Sequence, residues 1–170
     1  MGILSLLVLF SCEGERNTGE EFLSKHPADV KEALIQANKI AAEKESIQID
    51  GYVKRRNLDV TKTGTGLRYV VYQQGKGEQA VNGKIAVVHY EISLIDGTVC
   101  YSTKEKGSDE FIIGKDNVES GLHEGITYMK VGDKAKIIIP SHLAHGLAGD
   151  FNKIPVRSTI IYDIELVALK

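Results

Sequence analysis

The hydrophobic period changes once along the chain, at the threonine- and glycine-rich segment 61–66. Before this segment, apolar residues such as Val30, Ala33 and Leu34 recur every three or four positions, the spacing of one helix face. After it, short runs of β-branched and aromatic residues are separated by turn residues, a pattern typical of strands. A helix followed by consecutive strands predicts an α+β protein.

The strand-rich region predicts an antiparallel five-stranded sheet curled around one short helix. Asp96-Gly97 is a strong hairpin signal. Leu122, Ile126 and Met129 share one face of a helix predicted over 120–129, which directs Leu122 and Ile126 at the sheet. The predicted strands are 67–72, 85–94, 111–114, 136–140 and 160–166.

A long N-terminal helix is predicted over 27–58, with Pro27 in its first turn. Its apolar stripe, which continues through Ile40, must be covered, either by the downstream domain or by a second copy of the chain. The predicted organisation is therefore a leader (1–11), a polar tether (12–26), this helix, and a domain at 62–170.

The leader is predicted from an apolar run over 3–11 that ends at Cys12. The run is too short to cross a bilayer, which takes about 20 residues, and it fits the apolar core of a secretory signal. Its end resembles a bacterial lipobox, which implies lipidation of Cys12; an ordinary cysteine in an unstructured N-terminus is the alternative. A disulfide with Cys100 is compatible with the count of two cysteines, and a flexible lipid anchor at Cys12 would disfavour it.

Composition excludes some partners. The 21 basic and 23 acidic residues give a net charge of -2, so no nucleic acid partner is predicted. A hydrophobic content of 42% is enough for a packed core.

No set of nucleophile, base and orienting acid stands out, and we predict no metal and no cofactor. His123-Glu124 begins like a zincin helix, but Thr127 stands where the second histidine belongs. An enzyme built from these residues would need a reaction without covalent chemistry. Prolyl isomerisation is one, because a dry apolar cup favours the less polar, twisted amide over the planar one.

Segments of the chain resemble, in order, those of the FKBP-type peptidyl-prolyl cis/trans isomerases. They are 88–90, 96–98, 111–114, 118–125, 129–135, 139–146, 154–155 and 162–166. The lipobox, the first helix and the connection at 56–69 also resemble lipid-anchored bacterial members, among them the gliding-motility-associated lipoprotein isomerase group.

The resemblance implies a substrate pocket in which five residues keep the family's apolar or aromatic character: Tyr90, Phe111, Val118, Ile154 and Tyr162. For Phe111 and Val118, plain core packing is an equal alternative.

Five other implied pocket positions depart from the family. Leu122 stands where tryptophan forms the floor, Cys100 replaces phenylalanine, and Tyr101 replaces aspartate. His145 replaces a tyrosine whose hydroxyl binds ligand; a neutral histidine could donate instead. Glu119 replaces an isoleucine whose backbone N–H binds ligands. The change keeps this backbone donor and places a charged side chain at the rim of the pocket.

The resemblance implies a prolyl isomerase that acts on proline-containing polypeptides at the bacterial cell envelope, lipid-anchored and facing the periplasm. Two alternatives remain open. One is a non-catalytic FKBP-fold binding module or chaperone. The other is a structural lipoprotein of an envelope or motility machine, working through the first helix.

Overall fold

The computed structural model describes residues 27–170. The chain divides after Ala41, and Ala42–Lys170 forms one compact unit. Within the described residues, helix α1 spans Pro27–Arg55 and helix α2 spans Ser120–Ile126. The strands are β1 (Thr61–Lys62), β2 (Arg68–Gln73), β3 (Ile85–Leu94), β4 (Val99–Ser102), β5 (Asp109–Ile112), β6 (Lys134–Ile139) and β7 (Ile160–Leu169).

The strands form one antiparallel sheet in the order β1-β2-β6-β7-β3-β4, with β5 also paired to β3. The α+β class is confirmed, whereas the sheet formed by residues 27–170 has seven strands and not five. The additional strands are β1, which is only two residues long, and β4, which follows the predicted Asp96-Gly97 turn. Such short strands contain too few residues to show an alternating pattern.

Side chains alternate between two cores on opposite faces of the sheet, as the strand period requires. Ile137 and Ile139 lie in the larger core with helix α2, while Ile138 lies in a smaller one beneath helix α1. Gly121 allows α2 to lie directly on β6, because a Cβ atom there would come within 2.3 Å of Ile139 Cγ2.

The C-terminal part of helix α1 packs on the smaller core through Ile49 and Tyr52, which are 0% and 5% exposed. Arg68, only 1% exposed, reaches the helix with a 2.7 Å ion pair to Asp50. It also donates a 2.7 Å hydrogen bond to the Ser46 hydroxyl. Packing therefore holds this part of the helix against the sheet.

Helix α1 ends at Arg55 and not at residue 58. Asn57 adopts a left-handed conformation, with φ of 50°. The backbone N–H of Leu58 donates to the carbonyl of Val53, which closes the last turn. Within residues 27–41, the stripe residues Leu34 and Ile40 are 59% and 50% exposed.

The predicted leader, the tether and Cys12 lie outside the described residues. In residues 27–170, neither helix combines the length and the apolar character needed to cross a bilayer.

Candidate functional site

A cavity of about 530 Å³ opens between the strands of the sheet, the segment before helix α2, and the loop 140–159 that joins β6 to β7. It is lined by Tyr90, Ile92, Tyr101, Asn117, Val118, Glu119, Ala144, His145, Asp150, Asn152, Ile154 and Tyr162. Seven of the ten predicted pocket residues are among them.

Aromatic and aliphatic side chains from β3 and β7 form one wall. The rings of Tyr90 and Tyr162 pack edge to face with centroids 5.5 Å apart. Ile92 and Ile154 are 4% and 3% exposed beside them. The Tyr90 hydroxyl donates to Asp109 Oδ2 at 3.1 Å. Burial, together with this carboxylate, raises the pKa of Tyr90 to about 12, so the hydroxyl stays a donor near neutral pH.

A polar cluster interrupts this wall. The Tyr162 hydroxyl donates to Glu119 Oε2 at 2.9 Å, and His145 Nε2 lies 3.0 Å from Glu119 Oε1. Burial, and then the charge of Glu119, raises the pKa of Tyr162 well above its usual value. The Glu119 side chain is only 11% exposed. It lies within the cavity wall and not at the rim, where the sequence placed it, so the cavity is less apolar than predicted.

A second polar contact crosses the cavity mouth, where the Tyr101 hydroxyl from β4 donates to Asp150 Oδ2 in the loop. Asp150 Oδ1 accepts hydrogen bonds from the backbone N–H groups of Asn152 and Ile154, at 2.9 and 2.7 Å. Burial alone would raise the pKa of Asp150, but these bonds outweigh it and hold the pKa at about 2. Sequence reasoning missed Asp150, although its neighbours in the sequence are a local turn signal. Asp150 follows Gly149 and stands two residues before Asn152.

Three predicted pocket residues do not line this cavity. Cys100, Phe111 and Leu122 belong to the main core, with exposures of 2%, 5% and 2%. Cys100 carries a free thiol whose pKa is raised by burial. The same apolar residue types are buried in a core and in a cavity wall. The residue type alone therefore does not distinguish the two roles.

His123 has a structural place next to the cavity. Its Nδ1 accepts a 2.8 Å hydrogen bond from the N–H of Gly114, and its Nε2 lies 2.9 Å from the carbonyl of Asp116. These bonds order the segment that leads to Val118 and Glu119. No group of three or more histidine, cysteine or acidic residues with metal-binding geometry occurs in the described part of the chain.

Comparison with known proteins identifies the family. The family model for FKBP-type peptidyl-prolyl cis-trans isomerases matches residues 76–167, which contain most of the sheet, helix α2 and the cavity. The chain belongs to this family.

Two curated FKBP relatives and one crystal structure show how far the similarity extends. FkpA of Buchnera aphidicola is 36% identical over 165 residues, 92% of this chain and 64% of the relative. FKBP15-1 of Arabidopsis thaliana is 40% identical over 116 residues, 68% of this chain and 74% of the relative. The crystal structure of Escherichia coli FkpA matches with a TM-score of 0.66 and 35% identity, over 89% of this chain and 71% of that one.

The chain thus spans less than two thirds of the Buchnera relative. The narrower resemblance to the gliding-motility-associated lipoprotein group is not tested by these matches and stays a prediction.

Proposed function

We propose that the chain is a peptidyl-prolyl cis/trans isomerase whose substrate site is the 530 Å³ cavity. The observation that carries the proposal is the open, aromatic-walled space itself. Tyr90, Ile92, Ile154 and Tyr162 converge on it within a fold shared with the family. Its predicted substrates are proline-containing polypeptides.

Rotation about an X–Pro bond needs no bond to the enzyme. The barrier to peptide-bond rotation is about 18–20 kcal/mol, and it arises from amide resonance. The twisted amide has lost this resonance and is less polar than the planar one. Walls built from Tyr90, Ile92 and Tyr162 therefore favour the twisted form, and only such differential binding accelerates the step.

Hydrogen-bond donors near these walls would orient the peptide. Glu119 is the N-cap of helix α2, so its backbone N–H lies outside the hydrogen bonds of the helix and is our candidate donor to a substrate carbonyl. The His145 ring, 29% exposed in the same cavity, is the second candidate. Since His145 Nε2 lies 3.0 Å from Glu119 Oε1, a substrate carbonyl would compete with this carboxylate for the ring N–H.

The test is a protease-coupled assay on short Xaa-Pro peptides with Xaa varied. We expect acceleration by the wild-type protein. His145→Phe keeps an aromatic ring but has no N–H, so it should lower kcat/KM, while His89→Phe, at an exposed position on β3 outside the cavity, should not. No acceleration at micromolar enzyme would reject catalysis.

A second candidate function is peptide binding without turnover. The observation in its favour is the Glu119 carboxylate, which puts charge into the wall that should be apolar. A chain that binds a proline peptide, with chemical-shift changes at Tyr90 and Tyr162, but does not speed its isomerisation would be such a binding module or chaperone.

We further propose that the protein works at the bacterial cell envelope, lipid-anchored through Cys12 and facing the periplasm. The lipobox-like end of the leader supports this location. Cys12→Ser should move the protein from the membrane fraction to the soluble fraction, and a soluble wild-type protein would reject the anchor. Exposed Leu34 and Ile40 favour an additional contact with an envelope or motility-machinery protein, to be sought by copurification with and without residues 27–41.

The predicted organisation stays a proposal for the leader, the tether and the FKBP-like domain at 62–170. The compact unit already begins at Ala42, upstream of that boundary. Because Ile49 and Tyr52 pack on the sheet, we infer that a stable fragment needs residues 42–61 as well.

A further inference from the structure

The loop 140–159 supplies five of the twelve residues that line the cavity: Ala144, His145, Asp150, Asn152 and Ile154. It connects β6, which ends at Ile139, to β7, which begins at Ile160. The position of this loop therefore decides the shape of one side of the cavity.

A single carboxylate from outside the cavity holds both ends of this loop. Glu45, on helix α1, accepts hydrogen bonds through Oε1 from the backbone N–H of Ser141 at 2.7 Å and from the Thr159 hydroxyl at 2.6 Å. Its Oε2 accepts from the Ser141 hydroxyl at 2.8 Å. Ser141 and Thr159 are 8% and 7% exposed, so little water is available to replace these bonds.

Backbone hydrogen bonds connect Ser141 to the residues of the cavity wall. Its carbonyl accepts hydrogen bonds from the N–H groups of Ala144 and Gly146, at 3.1 and 2.8 Å, on either side of His145. The carbonyl of Gly146 in turn accepts from the N–H of Arg157, at 2.8 Å, near the other end of the loop. The backbone around His145 is thus tied to Ser141, and Ser141 is tied to Glu45.

Glu45 itself belongs to the part of helix α1 that packs against the sheet. Ile49 is buried one helical turn further on, on the same helix face as Glu45. Asp50 and Ser46 bond to the buried Arg68 of β2. A carboxylate held in this way makes charge-assisted hydrogen bonds, which are stronger than those between neutral groups.

We propose that Glu45 is a positioning residue for the prolyl isomerase site. It fastens the two ends of loop 140–159 and so holds His145 at the cavity wall. This inference rests on the proposed function of the cavity, but it concerns a residue of helix α1 that lies outside the cavity.

The test compares Glu45→Ala with Glu45→Gln in the full chain. Glutamine keeps an oxygen that accepts from Ser141 and Thr159, so it should retain most of the activity. Alanine keeps no acceptor, and we expect its kcat/KM on an Xaa-Pro peptide to fall by about fivefold to tenfold at a temperature where both variants are folded. Glu43→Ala is the matched control, because it removes an exposed carboxylate from the same helix without touching the loop or the Arg68 contacts. It should change kcat/KM less than twofold.

Amide hydrogen exchange gives a readout that does not depend on turnover. Glu45→Ala should speed exchange at Ala144 and Gly146, whereas Glu43→Ala should not. If Glu45→Ala leaves both amides as protected as in the wild type, or lowers kcat/KM no more than Glu43→Ala does, the positioning role is wrong. If the wild-type protein proves inactive, the exchange data and the affinity for a proline peptide decide the matter. Faster exchange with weaker binding supports the role, and unchanged values of either overturn it.

Discussion

The buried bond between Tyr162 and Glu119 leads to a quantitative prediction for Tyr162→Phe. The phenylalanine ring keeps the wall of the cavity, but Glu119 Oε2 loses its 2.9 Å donor. A hydrogen bond to a charged group contributes about 1.5–3 kcal/mol, and removal of a buried hydroxyl recovers part of this, so we expect a loss of about 1–2 kcal/mol in the free energy of unfolding. With a urea m value of about 2 kcal/mol/M, the midpoint should fall by about 0.5–1 M.

Tyr72→Phe is the matched control. Tyr72 also donates to a carboxylate, that of Asp163, but it is 53% exposed, and water can replace the lost bond. This variant should change the free energy of unfolding by less than about 0.5 kcal/mol.

A double-mutant cycle with Glu119→Ala, which keeps no acceptor, separates the pair from its surroundings. We expect a coupling energy between positions 162 and 119 of about 1 kcal/mol, as for residues in one buried network. Equal midpoints for the wild type and Tyr162→Phe, or a coupling energy of zero, would refute the claim that this bond stabilises the wall.

Three further predictions address the cavity and its support. Tyr90→Ala should weaken peptide binding and lower kcat/KM by about tenfold or more, while Tyr72→Ala, outside the cavity, should leave both unchanged; wild-type values for Tyr90→Ala would remove it from the site. Gly121→Ala should cost about 1–3 kcal/mol in urea unfolding, because its Cβ would come within 2.3 Å of Ile139, and an unchanged midpoint would contradict the close packing of α2 on β6. Since the pKa of Tyr90 is raised to about 12, its neutral form contributes stability that is complete below pH 10 and lost between pH 10 and 12. Unfolding of the wild type and Tyr90→Phe across this range measures that loss, and identical pH dependence in the two would count against it.

Residues that depart from the family pattern form hydrogen bonds or ion pairs with other residues of the cavity wall. The sequence showed Glu119 and His145 as separate departures and Tyr162 as a retained aromatic residue, whereas the structure joins the three in one hydrogen-bonded cluster. In the same way, Tyr101 stands where the family has an aspartate, and it bonds to a carboxylate supplied by Asp150 across the cavity mouth. Glu119 and His145 are 26 residues apart in the sequence, and Tyr101 and Asp150 are 49 residues apart. No local pattern connects positions at that distance.

The amino-acid pattern alone was enough for the class of fold, because periodicity, turn residues and the order of segments act over a few neighbouring positions. Most of the cavity wall followed from ordered similarity to the family. Only the tertiary structure decided which buried residues face a cavity and which part of helix α1 packs on the sheet. It also decided that Glu45 binds Ser141 and Thr159. Such choices depend on which distant groups become neighbours in a low-dielectric interior, where each buried donor needs an acceptor.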